Sequence, residues 1–269
     1  MSDDLAVKTT DVGKTFPTNS GDVVALTGVD LEVGVGEFVS LIGPSGCGKS
    51  TLMRLIADLD QVTTGTIEVF GKAPAAARVD QEYGIAFQQA GLLPWRTVAG
   101  NIALPLELHG VAKAARAERV SELAELVGLS DFVDRYPDQL SGGMQQRVAI
   151  ARAFAEHPRL LLMDEPFGAL DEMTREYLQT ELARISAETG AAVVFVTHSI
   201  PEAVFLSDRV VVMSPRPGRI TQIIPTGFGP AGSGKPRGED LRESKDYFAK
   251  VTAVREALHG APVERANER

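Results

Sequence analysis

Residues 43–51 read GPSGCGKST, which fits the pattern G-x-x-x-x-G-K-[ST] of a loop that binds phosphate groups. The apolar run FVSLI comes directly before this segment and the run STLMRLIADL overlaps its end, so we expect a strand, a loop and a helix in succession. Glycines allow backbone N–H groups to close around phosphates, and the helix start adds donors and a favourable dipole. The segment therefore predicts a nucleotide-binding P-loop.

The chemistry of the side chains in this loop predicts their roles. Lys49 is expected to reach the β- and γ-phosphates of ATP, the Ser50 hydroxyl to hold Mg²⁺, and Thr51 to contact a phosphate. For Cys47 a reactive thiol is the alternative to a small residue whose backbone contacts phosphate, which we favour. The predicted nucleotide contacts are Gly43, Pro44, Ser45, Gly46, Cys47, Gly48, Lys49, Ser50 and Thr51.

A second segment, GPAGSGKP at residues 229–236, is a near match to the same pattern. Pro236 stands where the hydroxyl is needed, and proline has no backbone N–H. The surrounding residues are rich in Gly and Pro, which is typical of a loop. We therefore interpret Lys235 as a solvated lysine of a linker.

Several short apolar runs end abruptly in polar or glycine residues, namely FVSLIG, GIAFQQ, LLLMDE and VVFVTH, and the run RVVVM closes the series. Continuous apolar runs of this kind are typical of strands buried on both faces of a parallel sheet. Ligands of such sheets bind at the carboxyl ends of the strands. The residues at those ends are Gly43, Gln88, Asp164, Glu165 and His198.

The rest of the pattern predicts an α/β fold with a mostly parallel core sheet and two additions. Residues 29–35, VDLEVGV, alternate in polarity and, with LAVKTTDV near the start, predict an N-terminal antiparallel β-subdomain. The stretch of about residues 96–157 is rich in good helix formers, so we expect a helical subdomain inserted at about residues 90–157.

The C-terminal part of the chain has a different character. We expect a main domain over residues 1–225, a Gly- and Pro-rich linker over 226–240, and a C-terminal helix and tail over 241–269. The residues predicted to share the buried side of that helix are Phe248, Val251, Val254 or Arg255, and Leu258.

The composition excludes some classes of function. The formal net charge is −9, which disfavours nucleic acid as a partner because that affinity comes mainly from Lys and Arg. The single cysteine rules out an internal disulfide bond. The start, MSDDLAVK, does not have the pattern of a signal peptide, and no apolar run approaches the roughly 20 residues of a membrane helix. We expect a soluble chain that can still bind a membrane protein.

The candidates for catalysis are Lys49 of the P-loop and the strand-end residues Glu165, His198 and Gln88, with Asp164 as a candidate metal ligand. Asp164 is placed to hold Mg²⁺ directly or through water, and Glu165 to act as the general base on the attacking water. His198 is expected to contact the γ-phosphate, and Gln88 to bind Mg²⁺ or water. Taken singly, each strand-end residue has a structural alternative. Asp164 and Glu165 could be a helix cap or surface charge, His198 a structural histidine, and Gln88 a surface glutamine.

Residues 140–147, LSGGMQQR, resemble a second phosphate-binding helix start. Ser141 is a good N-cap, and the two following glycines permit close backbone approach. A capped helix without a ligand is the alternative, and the residues by themselves favour it.

Together these segments resemble the ATP-binding subunit of an ABC transporter over about residues 5–220. The matching motifs are the P-loop at 43–51, the Q-loop at Gln88, the signature at 140–147, the second nucleotide motif at 159–165, the D-loop at 168–171 and the switch histidine at His198.

The resemblance implies further roles. Two such subunits pair head to tail, so that Ser141 and Gly143 of one copy face the γ-phosphate of ATP in the other. It also implies nucleotide contacts for the D-loop residue Asp171 and stacking of Phe16 on adenine. For Phe16 a core phenylalanine on an edge strand is the alternative.

A finer resemblance is to importers of the nitrate, sulfonate and taurine group. It implies transmembrane permease subunits that dock around residues 88–96, a solute-binding protein, and a peripheral location at the cytoplasmic face of the plasma membrane. Asp58 and Ser199 depart from the family pattern, which has glycine and aspartate there. A soluble ABC ATPase without a transport role, or a non-hydrolysing sensor, is the alternative. The finer resemblance is found in FQQAGLLPWRTV (87–98), YPDQLSGGMQQRVAIARA (136–153), DEPFGALDEMTRE (164–176) and MSPRPGRI (213–220).

Overall fold

The structure is a computed structural model that describes residues 5–19, 21–228, 237 and 239–260. Its strands are β1 (Leu5–Phe16), β2 (Val23–Gly34), β3 (Phe38–Ile42), β4 (Thr64–Val69), β5 (Tyr83–Ala86), β6 (Leu160–Asp164), β7 (Ala192–Val196), β8 (Arg209–Met213) and β9 (Ile220–Pro225). Its helices are α1 (Lys49–Ile56), α2 (Pro74–Val79), α3 (Val98–Ile102), α4 (Leu104–Leu108), α5 (Lys113–Leu126), α6 (Gly142–Ala153), α7 (Glu172–Thr189), α8 (Ile200–Leu206) and α9 (Lys245–Gly260).

A six-stranded sheet in the order β5-β6-β7-β3-β8-β9 lies at the centre of the molecule. Its first five strands run parallel, and β9 pairs antiparallel with β8 at the edge. Every residue of β3, β6 and β7 is buried, as continuous apolar runs require. The parallel core sheet predicted from the sequence is confirmed, and it brings the carboxyl ends of β3, β6 and β7 to one edge.

A second sheet, of order β2-β1-β4, is antiparallel and carries the alternating pattern expected of it. On β2 the side chains of Val29, Leu31 and Val33 are buried, while Asp30 and Glu32 are exposed. This sheet covers α1 and packs its apolar face into one core cluster with that helix.

Helices α3 to α6 lie between β5 and β6, where the sequence predicts helical structure. The predicted long stretch is broken into separate helices by turns at Gly110 and Gly128, both of which have positive φ. In this part of the chain the buried Asn101 side chain donates to the carbonyls of Leu93 and Arg96 and accepts from the Leu93 N–H. The segment before α3 is therefore held in a fixed conformation. None of the described helices has the length and hydrophobicity needed to cross a bilayer.

Two described residues of the predicted linker, one near each of its ends, are attached to the core. Thr226 is buried and donates to the Ser207 carbonyl, and Arg237 is buried against Asp208 at 2.8 Å. A 3-10 turn at Glu239–Glu243 begins inside the predicted linker. Residues 229–236, with Lys235, and residues 261–269 lie outside the described residues.

The predicted C-terminal helix is present, and Val251 and Val254 are buried on it as expected, but Tyr247 takes the buried place expected of Phe248. Tyr247, Val251 and Val254 are buried, whereas Phe248 is 58% exposed. The Tyr247 hydroxyl donates to the carbonyl of Pro201 on α8 at 2.9 Å, which holds Tyr247 on the buried side of the helix. The prediction for Phe248 was wrong because neighbouring aromatic residues fit the same helical period.

Candidate functional site

The segment between β3 and α1 forms a tight loop that depends on glycine. Gly46 and Gly48 have φ of 74° and 103°, in the region that other residues rarely adopt. A Cβ atom at Gly48 would lie 2.5 Å from the Leu26 side chain, so close packing also excludes a larger residue. Cys47 is completely buried in the core below the loop, which agrees with a small packing residue and not with an accessible thiol.

Lys49 begins α1, and its ammonium group lies inside the loop. It donates to the carbonyl oxygens of Gly43 at 2.9 Å and Pro44 at 3.2 Å. The side chain is buried, so its charge is only weakly screened by water. A positive charge in this position favours an anion at the centre of the loop.

Ser50 and Asp164 bring two oxygen ligands together at the ends of α1 and β6. The Ser50 hydroxyl donates to Asp164 Oδ1 at 3.0 Å. Burial raises the pKa of Asp164, and the hydrogen bond from Ser50 opposes that shift. Within the described residues no group of three or more His, Cys, Asp or Glu side chains forms a metal site. The pair suits Mg²⁺, which binds few protein oxygens and completes its shell with water and phosphate.

Glu165 lies next to Asp164 and is flanked by two polar side chains from other strand ends. Its Oε2 atom is 3.1 Å from His198 Nδ1 and 3.3 Å from Gln88 Nε2. The backbone of Glu165 has a φ of 46°, and its N–H donates to the Val196 carbonyl at 2.8 Å. A carboxylate held in this way can accept a proton from a water molecule beside the P-loop.

A cavity of about 460 Å³ is lined by Lys49 and Ser50 of the P-loop together with Gln88, Glu165 and His198. Two aliphatic residues of β2 and Arg216 line it although the sequence did not predict them. The full lining is Phe16, Val23, Ala25, Gly43, Ser45, Gly46, Gly48, Lys49, Ser50, Thr51, Gln88, Glu165, His198 and Arg216.

The loop that follows β8 carries Arg216 into the cavity. Gly218 donates to the Ala25 carbonyl at 2.9 Å, and a Cβ atom there would lie only 1.9 Å from the Cys47 carbonyl oxygen. The glycine thus allows this loop to lie directly on the P-loop. No spacing in the sequence relates residues 215–218 to the P-loop.

Phe16 lies at the end of β1 and is half-buried at the cavity wall. The Lys14 ammonium is 4.8 Å from the centre of its ring and also pairs with Asp60 at 2.5 Å. The ring is therefore supported from one side by a fixed cation, and it is not a core residue of either sheet.

Ser141, Gly143 and Asp171 do not line this cavity. Ser141 caps α6 by accepting from the Met144 N–H at 3.2 Å, and Asp171 caps α7 by accepting from the Thr174 N–H at 3.0 Å. Within a single chain Ser141 and Asp171 therefore act as helix caps.

Helix α6 also holds the segment that contains Gln88, through residues that the sequence interpretation did not single out. The buried Gln146 amide donates to the Phe87 carbonyl at 2.8 Å. Arg152 donates to the Ala90 carbonyl at 2.8 Å and to the Gly91 carbonyl at 3.0 Å. Helix α6 and the segment around Gln88 are therefore mechanically connected.

Comparison with known proteins gives concordant results. A family model described as ABC transporter matches residues 26–168, just over half of the chain. An uncharacterized ABC transporter ATP-binding protein of Methanocaldococcus jannaschii is 50% identical over 93% of this chain and 91% of its own length. The nitrate import ATP-binding protein NrtD of Synechocystis is 40% identical over 97% of both chains. A dimeric ATP-binding cassette in a post-hydrolysis state with ADP and Pi superposes with a TM-score of 0.76 at 35% identity, covering 81% of this chain and 98% of that one.

Proposed function

The chain belongs to the ABC transporter family as an ATP-hydrolysing, ATP-binding subunit, and from this premise we propose that it drives the import of a small anion. The observation that carries the catalytic assignment is the position of Glu165 between His198 and Gln88, at the mouth of the P-loop cavity. Nitrate, a sulfonate or taurine is the proposed class of solute.

The geometry supports a division of roles among the cavity residues. Lys49 and the loop N–H groups neutralise and orient the β- and γ-phosphates, and Thr51 contacts a phosphate. Glu165 takes a proton from the attacking water. His198 contacts the γ-phosphate, Gln88 holds water beside it, and Phe16 stacks on the adenine ring.

Ser50 and Asp164 are the residues that would hold Mg²⁺. When bound, the ion supplies positive charge to the phosphate oxygens during hydrolysis. Their hydroxyl and carboxylate oxygens are already at hydrogen-bonding distance, so the protein part of the ligand set requires little rearrangement.

We propose a head-to-tail dimer in which Ser141, Gly143 and Asp171 of each copy complete the other copy's site. The dimeric cassette with ADP and Pi supports pairing. None of these three residues lines its own chain's cavity, and Ser141 and Asp171 are exposed, which supports a contribution to a second site.

The proposed partners are transmembrane permease subunits, with a solute-binding protein acting through them. Pro94 and Trp95 are exposed on the segment that α6 holds, and Trp95 is 71% exposed. An exposed tryptophan on a rigid segment is a typical anchor for a partner surface. We therefore propose that the chain acts at the cytoplasmic face of the membrane as a peripheral subunit.

The solute class is inferred from the nitrate import relative, which aligns over nearly the whole of both chains. The segment FQQAGLLPWRTV at 87–98 belongs to the proposed docking surface. This surface contacts the permease and not the solute. Its similarity to the nitrate importer therefore indicates the type of permease, and the solute only through that permease.

The test is to purify tagged Glu165→Gln chain from gently solubilised source membranes with Mg-ATP. We expect a multi-spanning permease to co-purify, and a matched Trp95→Glu chain to bind ATP normally but recover less permease. Its solute-binding protein would then be screened with nitrate, sulfonates and taurine. Recovery of ribosomal proteins or nucleic acid without a membrane protein would favour a soluble ABC ATPase.

A further inference from the structure

The two residues on either side of His198 are held by a buried hydrogen-bond network. The Ser199 N–H donates to the Thr197 hydroxyl at 3.0 Å, and that hydroxyl donates to the Glu202 carboxylate. The other oxygen of Glu202 accepts from the Gln179 amide at 2.9 Å. Thr197, Gln179 and Glu202 are all buried, so these bonds have little competition from water.

The network continues into the C-terminal segment through Arg242. Its Nη2 atom donates to Gln179 Oε1 at 2.7 Å, and its guanidinium lies 3.9 Å above the Phe205 ring on α8. It also faces Glu176 at 3.5 Å. Arg242 thus joins the 3-10 turn before α9 to both α7 and α8.

The direction of the bonds gives Arg242 a specific effect. Arginine has only donors, so the Gln179 amide must turn its oxygen toward Arg242 and its NH₂ toward Glu202. Without Arg242 the buried Gln179 oxygen loses its charged donor, and only the Glu202 carboxylate still orients the amide. The amide then holds the buried Glu202 carboxylate less firmly, and the contact between that carboxylate and Thr197 is weakened.

His198 itself depends on this support. Its side chain is 71% exposed, and its contact with Glu165 is made by one ring nitrogen. The backbone position of the Thr197–Ser199 turn therefore determines where the imidazole lies.

We propose that Arg242, acting through Gln179 and Glu202, is a positioning residue for His198, so that the C-terminal segment sets the rate of hydrolysis. This inference rests on the role of His198 in the proposed function. Arg242 does not line the cavity, so nucleotide affinity is independent of it.

The test compares ATPase kinetics and nucleotide affinity of full-length variants. Arg242→Met removes the donors and keeps an unbranched side chain over Phe205. We expect kcat to fall about tenfold, which is the effect of losing roughly one hydrogen bond that helps to position His198. KM and ATP affinity should be unchanged. Arg242→Lys retains a donor and should recover most of the rate. Glu176→Gln removes only the ion pair and should turn over like the wild type.

A His198→Ala background separates this inference from the proposed function. If His198→Ala retains the wild-type kcat, the role proposed for His198 is wrong. If His198→Ala is slow and Arg242→Met lowers its residual kcat by the same factor, Arg242 acts elsewhere and the inference fails. A wild-type kcat in Arg242→Met, or a loss matched by Glu176→Gln, also overturns it. Should Arg242→Met not fold, Gln179→Leu allows the same comparison, because Gln179 connects Arg242 to Glu202.

Discussion

At the scale of single residues, the backbone of Glu165 is the least ordinary feature of the site. A residue with a side chain pays roughly 1–2 kcal/mol to adopt a left-handed conformation. The hydrogen bond from its N–H to Val196 holds it there, so the carboxylate leaves the end of β6 toward His198. The strained backbone of Glu165 thus serves to direct its side chain into the site.

We therefore expect Glu165→Gly to be more stable than Glu165→Ala by roughly 0.5–1 kcal/mol, although both lose hydrolysis. The relief of strain exceeds the entropy that glycine gains in the unfolded chain. Urea unfolding at pH 7 measures the difference. At Asp164, which is in an extended strand, the alanine variant should be the more stable, and the same order at both positions would contradict the explanation.

Arg216 is the residue for which we expect an effect on binding alone. Arg216 lines the cavity beside the P-loop, so Arg216→Ala should raise the Kd for ATP roughly 2- to 5-fold, the effect of one surface charge. Calorimetric titration in the Glu165→Gln background measures it. Arg219→Ala, from the same loop but outside the cavity, should not change the Kd, and an equal effect would indicate only net charge.

The sequence predicted those site residues whose position follows from a strand end or a motif. Lys49, Asp164 and His198 each come at a fixed place after an apolar run, and parallel strands bring such places together. Arg216 could not be predicted in this way, because its position depends on the contact between Gly218 and Cys47, which are far apart in the chain.

At the scale of elements, the attachment of the C-terminal segment depends on the buried pair of Arg237 and Asp208. Burial raises the pKa of Asp208 and lowers the pKa of Arg237, so both charges carry a desolvation cost. Asp208 also accepts from the N–H of Phe38 in β3 at 2.8 Å, which links the segment to the core sheet.

Removal of Arg237 alone should be much worse than removal of both charges. We expect Arg237→Ala to cost about 3–5 kcal/mol in the free energy of unfolding, because Asp208 stays buried without a partner. The double variant Arg237→Met with Asp208→Asn should recover most of this loss, since asparagine still accepts from Phe38. Guanidinium unfolding tests both, and equal losses would contradict the explanation.

The attachment of β1 to the turn after α1 should depend on pH. The hydrogen bond from Lys14 holds the pKa of Asp60 below its usual range. The resulting stability is present above the unfolded pKa of about 3.8 and is lost as pH falls through the lower folded pKa. Asp60→Asn should cost roughly 0.5–1 kcal/mol at pH 7 and progressively less below pH 4. Urea unfolding across this range measures it, and a constant difference would exclude the charge as its cause.

Elements with a strong pattern were predictable and elements set by tertiary contacts were not. The buried strands β3, β6 and β7 are plain in the sequence because both of their faces are apolar. Which aromatic residue of α9 is buried was not predictable, since Tyr247 and Phe248 are both large and aromatic. In the structure Tyr247 packs in the core and donates to the Pro201 carbonyl, whereas Phe248 is exposed.

At the scale of the whole molecule, the proposed dimer makes each ATP site the product of two chains. A Lys49→Ala chain has an impaired P-loop and an intact signature, and a Ser141→Arg chain has the reverse. We expect each to be inactive alone, and a heterodimer of the two to regain up to half of the wild-type activity. Co-expression with two tags and tandem purification isolates that heterodimer. A pure heterodimer without activity would contradict shared sites.

The burial of Cys47 has a practical consequence. It is the chain's only cysteine, and it lies beneath the P-loop with Gly218 packed on its carbonyl oxygen. An alkylating reagent can reach the sulfur only during moments when these two loops separate. The rate of alkylation therefore reports how often the empty site opens, and its decrease on adding ATP would measure how firmly the nucleotide closes the protein around itself.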